Sequence, residues 1–222
     1  MTKMTDNLAE FLKPLDREDR EGCVELVRRW MDEGSITVFD LYTRVLTPSL
    51  NGFECKDKDR DICVWKEHVR SSIVRTVVEN CYTQVVRESR KRYPEGPKKG
   101  SVVVLCPSEE YHEIGARMVS DIFILNGFDA TFVGANTPRE DIVAAIRYTR
   151  PRFVAMSISS FYNLVAARNT ISELKVLKKR DGLDFKVLVG GRAFTSNPDA
   201  WKDIGADGVL KSVGDIAKLG GK

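Results

Sequence analysis

Residues 101–127, SVVVLCPSEEYHEIGARMVSDIFILNG, decide the architecture of this chain. An apolar run at 101–106 empties into a short polar stretch, then into an amphipathic segment that stops at Asn126-Gly127. A continuous β-branched run bounded by turn residues reads as a strand buried on both faces. The helical segment after it is the crossover that a parallel neighbour requires. The alternation repeats downstream. Strands are predicted at 101–106, 130–133, 153–157, 185–189 and 208–210, with helices at 110–125, 139–148, 164–180 and 199–204 and a last one from Gly214. Five strands alternating with helices indicate an α/β fold with an open parallel sheet, flavodoxin-like and Rossmann-like in type. Ligands of such sheets collect beyond the carboxyl ends of the strands. Those ends carry CPSEEYHEIG, GANTP, SISSFYN and GGRAFT.

Upstream the period changes. Segments 18–32 and 37–50 place apolar residues at helical spacing, and a long one at 61–92 aligns Ile62, Trp65, Val69, Ile73, Val77, Cys81 and Val85. With a short helix near 7–12 this makes an N-terminal bundle of about four helices. The stretch RYPEGPKKG, with its prolines and glycines, ends the bundle. The expected domains are therefore 1–93, a helical bundle, and 94–222, the α/β domain.

The 222 residues are 42% hydrophobic and 30% charged, the profile of a globular protein. No apolar run approaches the roughly 20 residues that span a bilayer, so no membrane partner is expected. The N-terminus, MTKMTDNLAEFLK, lacks the apolar core of a secretory signal, and a cytoplasmic location is expected. Net charge is only +3, which argues against direct nucleic-acid binding. The basic cluster from Arg87 to Lys99 reads as a solvated helix end and linker. Five cysteines (Cys23, Cys55, Cys63, Cys81 and Cys106) show no C-x-x-C pair and are expected as reduced, mostly packed thiols.

The chemistry concentrates in Glu110-x-His112-x-x-Gly115. A neutral imidazole binds transition metals well, and better when its second nitrogen donates to a carboxylate, the place Glu110 could fill. Gly115 would let a bulky group approach the backbone. One histidine and one carboxylate cannot complete a zinc site, so any metal must bring most of its own ligands. Ser157 ends the third strand and Gly190-Gly191 the fourth, leaving an opening beside the sheet. The plain alternatives are a polar residue at a helix start and a tight strand-to-helix turn.

Together, Glu110-x-His112-x-x-Gly115, Ser157 and Gly190-Gly191 resemble the cobalamin-binding domain of methionine synthase, corrinoid methyl carriers and certain mutases. The resemblance spans about residues 100–219 and implies a helical bundle that caps the upper face of the corrin. It implies His112 as the lower axial cobalt ligand, with the nucleotide tail in a channel lined by Ser157 and the glycine pair. Tyr111 and Ser159 are neighbouring candidates. Two positions depart from the family pattern: Glu110 stands for the usual aspartate, and Ser157-Ile158-Ser159 for the usual S-x-L.

EEYHEIGARM, FVGANTPREDI and ICVWKEHVRSSIVR further resemble the CarH/LitR light-sensing cobalamin regulators. That likeness implies Glu67 and His68 over the upper face of adenosylcobalamin; Trp65 and Phe53, near them in sequence, are this chain's own candidates for an aromatic lid. The branch's tryptophan and photolysis-linked histidine fall on Asp57 and Lys58 here, leaving His68 as the candidate upper ligand. The leading expectation is a light-responsive cobalamin sensor acting through a transcription factor or signalling protein, as a homo-oligomer or otherwise. It is not expected to be an enzyme in its own right. Nothing in the chain reads as a helix-turn-helix. The alternatives are a corrinoid methyl carrier, using methylcobalamin or hydroxocobalamin, and a relative that binds heme or no cofactor.

Overall fold

The computed structural model describes residues 7–220; residues 1–6, part of the stretch read above as non-secretory, lie outside it. The chain divides into two compact units, Met1–Arg87 and Glu88–Lys222. The division falls inside helix α6, Tyr82–Arg92, ahead of Pro94. The last turns of α6 belong to the second unit for a physical reason. Ser89 Oγ donates to the carbonyl of Ile124 at 3.0 Å, and Arg92 donates to that of Leu125 at 3.3 Å.

The first unit is helical. Helix α1, Asn7–Asp16, buries Phe11 and Leu15. Helix α2, Arg20–Asp32, starts where the Asp19 carboxylate accepts the N–H of Gly22 at 2.8 Å, and it buries Cys23, Val27, Trp30 and Met31 along one stripe. The next segment, 38–51, is interrupted: α3 (Val38–Asp40) passes into a π-helical stretch, Leu41–Leu46, before α4 (Thr47–Asn51). Pro48 explains the widened turn, because it offers no N–H to the carbonyl four residues back.

The long predicted helix is realised as α5, Arg60–Asn80, and α6, with the join at Cys81. The predicted stripe holds only in part. Ile73 and Val77 are buried, but Ile62 is 40% and Trp65 64% exposed, so the first two turns of α5 show apolar side chains to solvent. The expectation of five reduced cysteines is also corrected. Cys55 and Cys63 form a disulfide, with Cα atoms 5.6 Å apart. The loop before α5 folds back onto its first turn, a closure that no cysteine spacing motif encodes. Cys23, Cys81 and Cys106 are buried and take no part in the disulfide.

The second unit is the sheet domain. Strands β1 (Ser101–Leu105), β2 (Asp129–Gly134), β3 (Phe153–Ser157), β4 (Lys186–Gly190) and β5 (Gly208–Leu210) form one sheet. All pairings are parallel and the order is β2-β1-β3-β4-β5. This is the flavodoxin-like order, which reverses direction between β1 and β3. The inner strands β1, β3 and β4 are buried runs, whereas β2, at an edge, alternates. Helices α7 (Ile114–Leu125), α8 (Arg139–Thr149) and α9 (Leu164–Asp181) supply the crossovers. The short α10 (Ala200–Asp203) and a 3-10 turn, Val213–Lys218, close the chain. Ile142, Ile146, Ile171 and Leu174 pack on Val154, Met156 and Val189. Among the described residues no helix is long and apolar enough to cross a membrane.

Ile171 is fully buried on α9 and Val176 is 64% exposed on the same helix. Ile171→Ala should lower the stability of the sheet unit by about 2–5 kcal/mol through the cavity it leaves. Val176→Ala should change it by less than about 0.5 kcal/mol. Chemical denaturation followed by circular dichroism checks both.

Candidate functional site

The loop between β1 and α7 is longer than the sequence suggests, because α7 begins at Ile114 and not at Glu110. Glu110 is the reason. Its side chain is 0% exposed and holds the loop together. Oε1 accepts the backbone N–H of His112 at 3.0 Å and lies 2.6 Å from His112 Nδ1. Oε2 accepts the N–H groups of Ser159 (2.7 Å) and Ser160 (3.0 Å) and the Asn163 amide (3.0 Å). Burial works against the charge. The Ser160 N–H, the Asn163 amide and both groups of His112 outweigh it and hold the carboxyl down at about 2.

A carboxylate can only accept, so in the neutral ring the proton facing Glu110 sits on Nδ1 and the lone pair on Nε2. The imidazole side chain is 66% exposed, which leaves that lone pair open to an incoming group. The loop is further clamped to the end of β2. Glu109, at a left-handed φ of 68°, donates its N–H to Asn136 Oδ1 at 2.8 Å. Asn136 returns its own N–H to the Glu110 carbonyl at 2.9 Å. Glu113 accepts the N–H of Ala135 at 2.9 Å. Cys106 lies beneath, its Sγ 3.8 Å from the His112 carbonyl, and burial with Glu110 and Glu113 nearby pushes its thiol up to about 12.

The other strand-end candidates lie along the same edge. Ser157 is in register with Gly190, and Gly190 with Leu210. Gly191 has φ 110°, and a Cβ there would sit 2.3 Å from the Ile158 carbonyl oxygen. No side chain fits, so the backbone runs flush past the end of β3. A Cβ on Gly115 would meet nothing within 4 Å. Ser159 contributes its backbone N–H to Glu110. Tyr111, Phe161 and Tyr162 are exposed aromatics on the two loops that Glu110 ties together. Asn163, Asn136 and Glu113 are structural partners that motif reading missed. The Asn136-Thr137-Pro138 turn was the available signal.

The bundle candidates belong to the first unit. Trp65, Glu67 and His68 lie on the exposed N-terminal half of α5. Asp57 is occupied by Lys66, at 3.1 Å. Among the described residues no cluster of three or more His, Cys, Asp or Glu could hold a metal ion. The donor set at the sheet edge is thus one presented imidazole beside small residues and exposed aromatic surface. That set fits a metal carried in a macrocycle that supplies its other ligands.

The fold and sequence have relatives of that kind. The chain is 24% identical over 201 residues to monomethylamine corrinoid protein 2 of Methanosarcina acetivorans, covering 89% of this chain and 88% of the relative. It is 23% identical over 205 residues to monomethylamine corrinoid protein 1 of Methanosarcina mazei, covering 91% and 90%. The structure of the Methanosarcina barkeri monomethylamine corrinoid protein superposes with a TM-score of 0.77 at 17% identity, over 95% of this chain and 94% of that one. Residues 100–217 match the B12 binding domain family. That match takes in the whole sheet and the His112 loop: the chain belongs to the B12 binding domain family, and its cofactor is a corrinoid.

Proposed function

We propose that this protein is a corrinoid methyl carrier that serves separate methyltransferases, with His112 as the lower axial ligand of cobalt. The observation that carries the reading is the Glu110–His112 pair, which fixes the ring tautomer and turns Nε2 outward at the carboxyl edge of the sheet. The carrier role is supported by relatives that are corrinoid proteins over about nine-tenths of both chains. It displaces the light-responsive sensor suggested by the α5 motif, and the expected partner becomes a methyltransferase in place of a transcription factor.

When bound, the corrinoid supplies a cobalt centre that takes up and gives up a methyl group. The chain's own residues do the rest. His112 would hold the metal from below, and Glu110 keeps the ring oriented. Ser157, Gly190 and Gly191 would border the nucleotide tail, while Tyr111 and Phe161 offer apolar surface to the macrocycle. Gly115 leaves its approach open. Ser159 acts by positioning Glu110.

His112→Ala should weaken hydroxocobalamin binding by at least about tenfold and shift its absorption to that of an unligated lower face. Equally tight binding with an unchanged spectrum would reject the assignment. For the role itself, protein loaded with adenosylcobalamin should keep the same oligomeric mass in darkness and under green light. Methylcobalamin-loaded protein should donate its methyl group to an acceptor in the presence of a methyltransferase. A light-dependent mass change without methyl transfer would restore the sensor reading.

Glu110 also sets an acid limit. Its folded pKa, about 2, lies below the ordinary 4.5, so its stabilisation is complete above about pH 4.5 and is lost as pH falls toward 2. Glu110→Gln places an amide among five donors, so it should be less stable than the parent at pH 7. Its loss of stability between pH 4.5 and 2 should be shallower. Thermal melts across that range read both effects.

A further inference from the structure

We infer that Cys55 and Cys63 form a reversible thiol–disulfide site that latches the 52–59 loop to the first turn of α5, beside a cleft in the helical unit. The cleft has a volume of about 770 Å³ and lies among Leu12 and Leu15 of α1, Phe53 and Glu54 of the loop, and Lys66 and Arg70 of α5. The inference concerns this unit alone and does not rest on the carrier reading.

The two ends of the loop are held independently of the bridge. At one end the Arg70 guanidinium lies 5.0 Å from the centre of the Phe53 ring. Arg70 itself is fixed, paired with Asp16 at 2.7 Å and donating to the Ser49 carbonyl at 2.8 Å. At the other end Asp59 caps α5 by accepting the N–H of Asp61 at 2.9 Å. Between these anchors the loop is fastened by the disulfide, by the ion pair of Lys66 with Asp57, and by the Asp57 carboxylate accepting the N–H of Asp59 at 3.3 Å. The ion pair is substantially exposed at both partners, where such contacts hold little. The covalent bridge is the strongest of these ties, because the others are exposed or long.

The remaining thiols do not compete for this chemistry. Burial and Asp19 push Cys23 up to about 11, burial drives Cys106 to about 12, and Cys81 is buried. The bridging cysteines, by contrast, are only half-buried on a surface loop and a first helical turn. A dithiol reductant would open the bridge in two displacements. One of its thiolates attacks a bridge sulfur, the S–S bond breaks, and the other cysteine leaves with the electron pair and takes a proton. The second reductant thiol then releases the first cysteine, and the reductant departs as its own disulfide. In a reducing compartment a surface bridge of this kind acts as a switch.

The test uses the full chain, purified without reductant. Iodoacetamide under native conditions should label neither Cys55 nor Cys63, and both after dithiothreitol. Tryptic cleavage after Lys56 and Lys58 should then rise about tenfold or more, as expected when a short closed loop is released, with the helical circular dichroism signal unchanged. Re-oxidation with oxidised glutathione should restore the slow rate. The variant Cys55→Ser/Cys63→Ser should be cut at the fast rate with or without dithiol. Labelling of both cysteines before reduction, or equal cleavage in the two states, would overturn the inference. So would loss of the helical signal on reduction, which marks a structural staple. The comparison of oxidised and reduced parent protein stands by itself if the double variant does not fold.

Discussion

A single buried carboxylate organises the functional edge of this protein. Glu110 gathers donors from its own loop and from the loop after β3, so segments some fifty positions apart share one anion. An unpaired charge in that place would be costly, and the convergence of N–H groups makes it the preferred state. The consequence reaches the neighbouring ring. With both oxygens committed as acceptors, the imidazole has one orientation in which Nδ1 donates, and its other nitrogen is free for chemistry. The hydrogen bonds that fold the loop are the same ones that orient the exposed imidazole.

The small residues along the edge do complementary work. Gly191 lies against the Ile158 carbonyl too closely for any side chain, and Gly190 sits beside the Leu210 backbone. These contacts keep the ends of β3, β4 and β5 level. The parallel register holds the histidine loop and the glycine turns on a common rim, the carboxyl edge of the sheet.

Much of this was legible in the sequence, for identifiable reasons. The inner strands are unbroken apolar runs, and α9 has an apolar period with Gly182 at its end, so both elements announce themselves. Glu110 and His112 alone have a plain use at a helix start, and they stand out only in company with Ser157 and the Gly190-Gly191 pair on the same sheet edge. Other features depend on tertiary pairing that no local pattern reports. The 55–63 disulfide arises from loop closure, the π turn before Pro48 from a missing donor, and the exposure of Trp65 from the absence of packing against the start of α5. The helix after β1 starts late for a related reason. Glu110 has good helix propensity, but its side chain is recruited by Ser159, Ser160 and Asn163, and tertiary hydrogen bonds override the local preference.

Cys106 shows how the same neighbourhood keeps its selectivity. Sulfur is a softer and stronger donor toward many transition metals than imidazole, but only as the thiolate. Here the thiol lies under the loop, shielded from water and flanked by two negative side chains, so its proton is retained far beyond neutral pH. That sulfur is thereby silenced by its surroundings, and the imidazole nitrogen is left as an exposed neutral donor on the same loop.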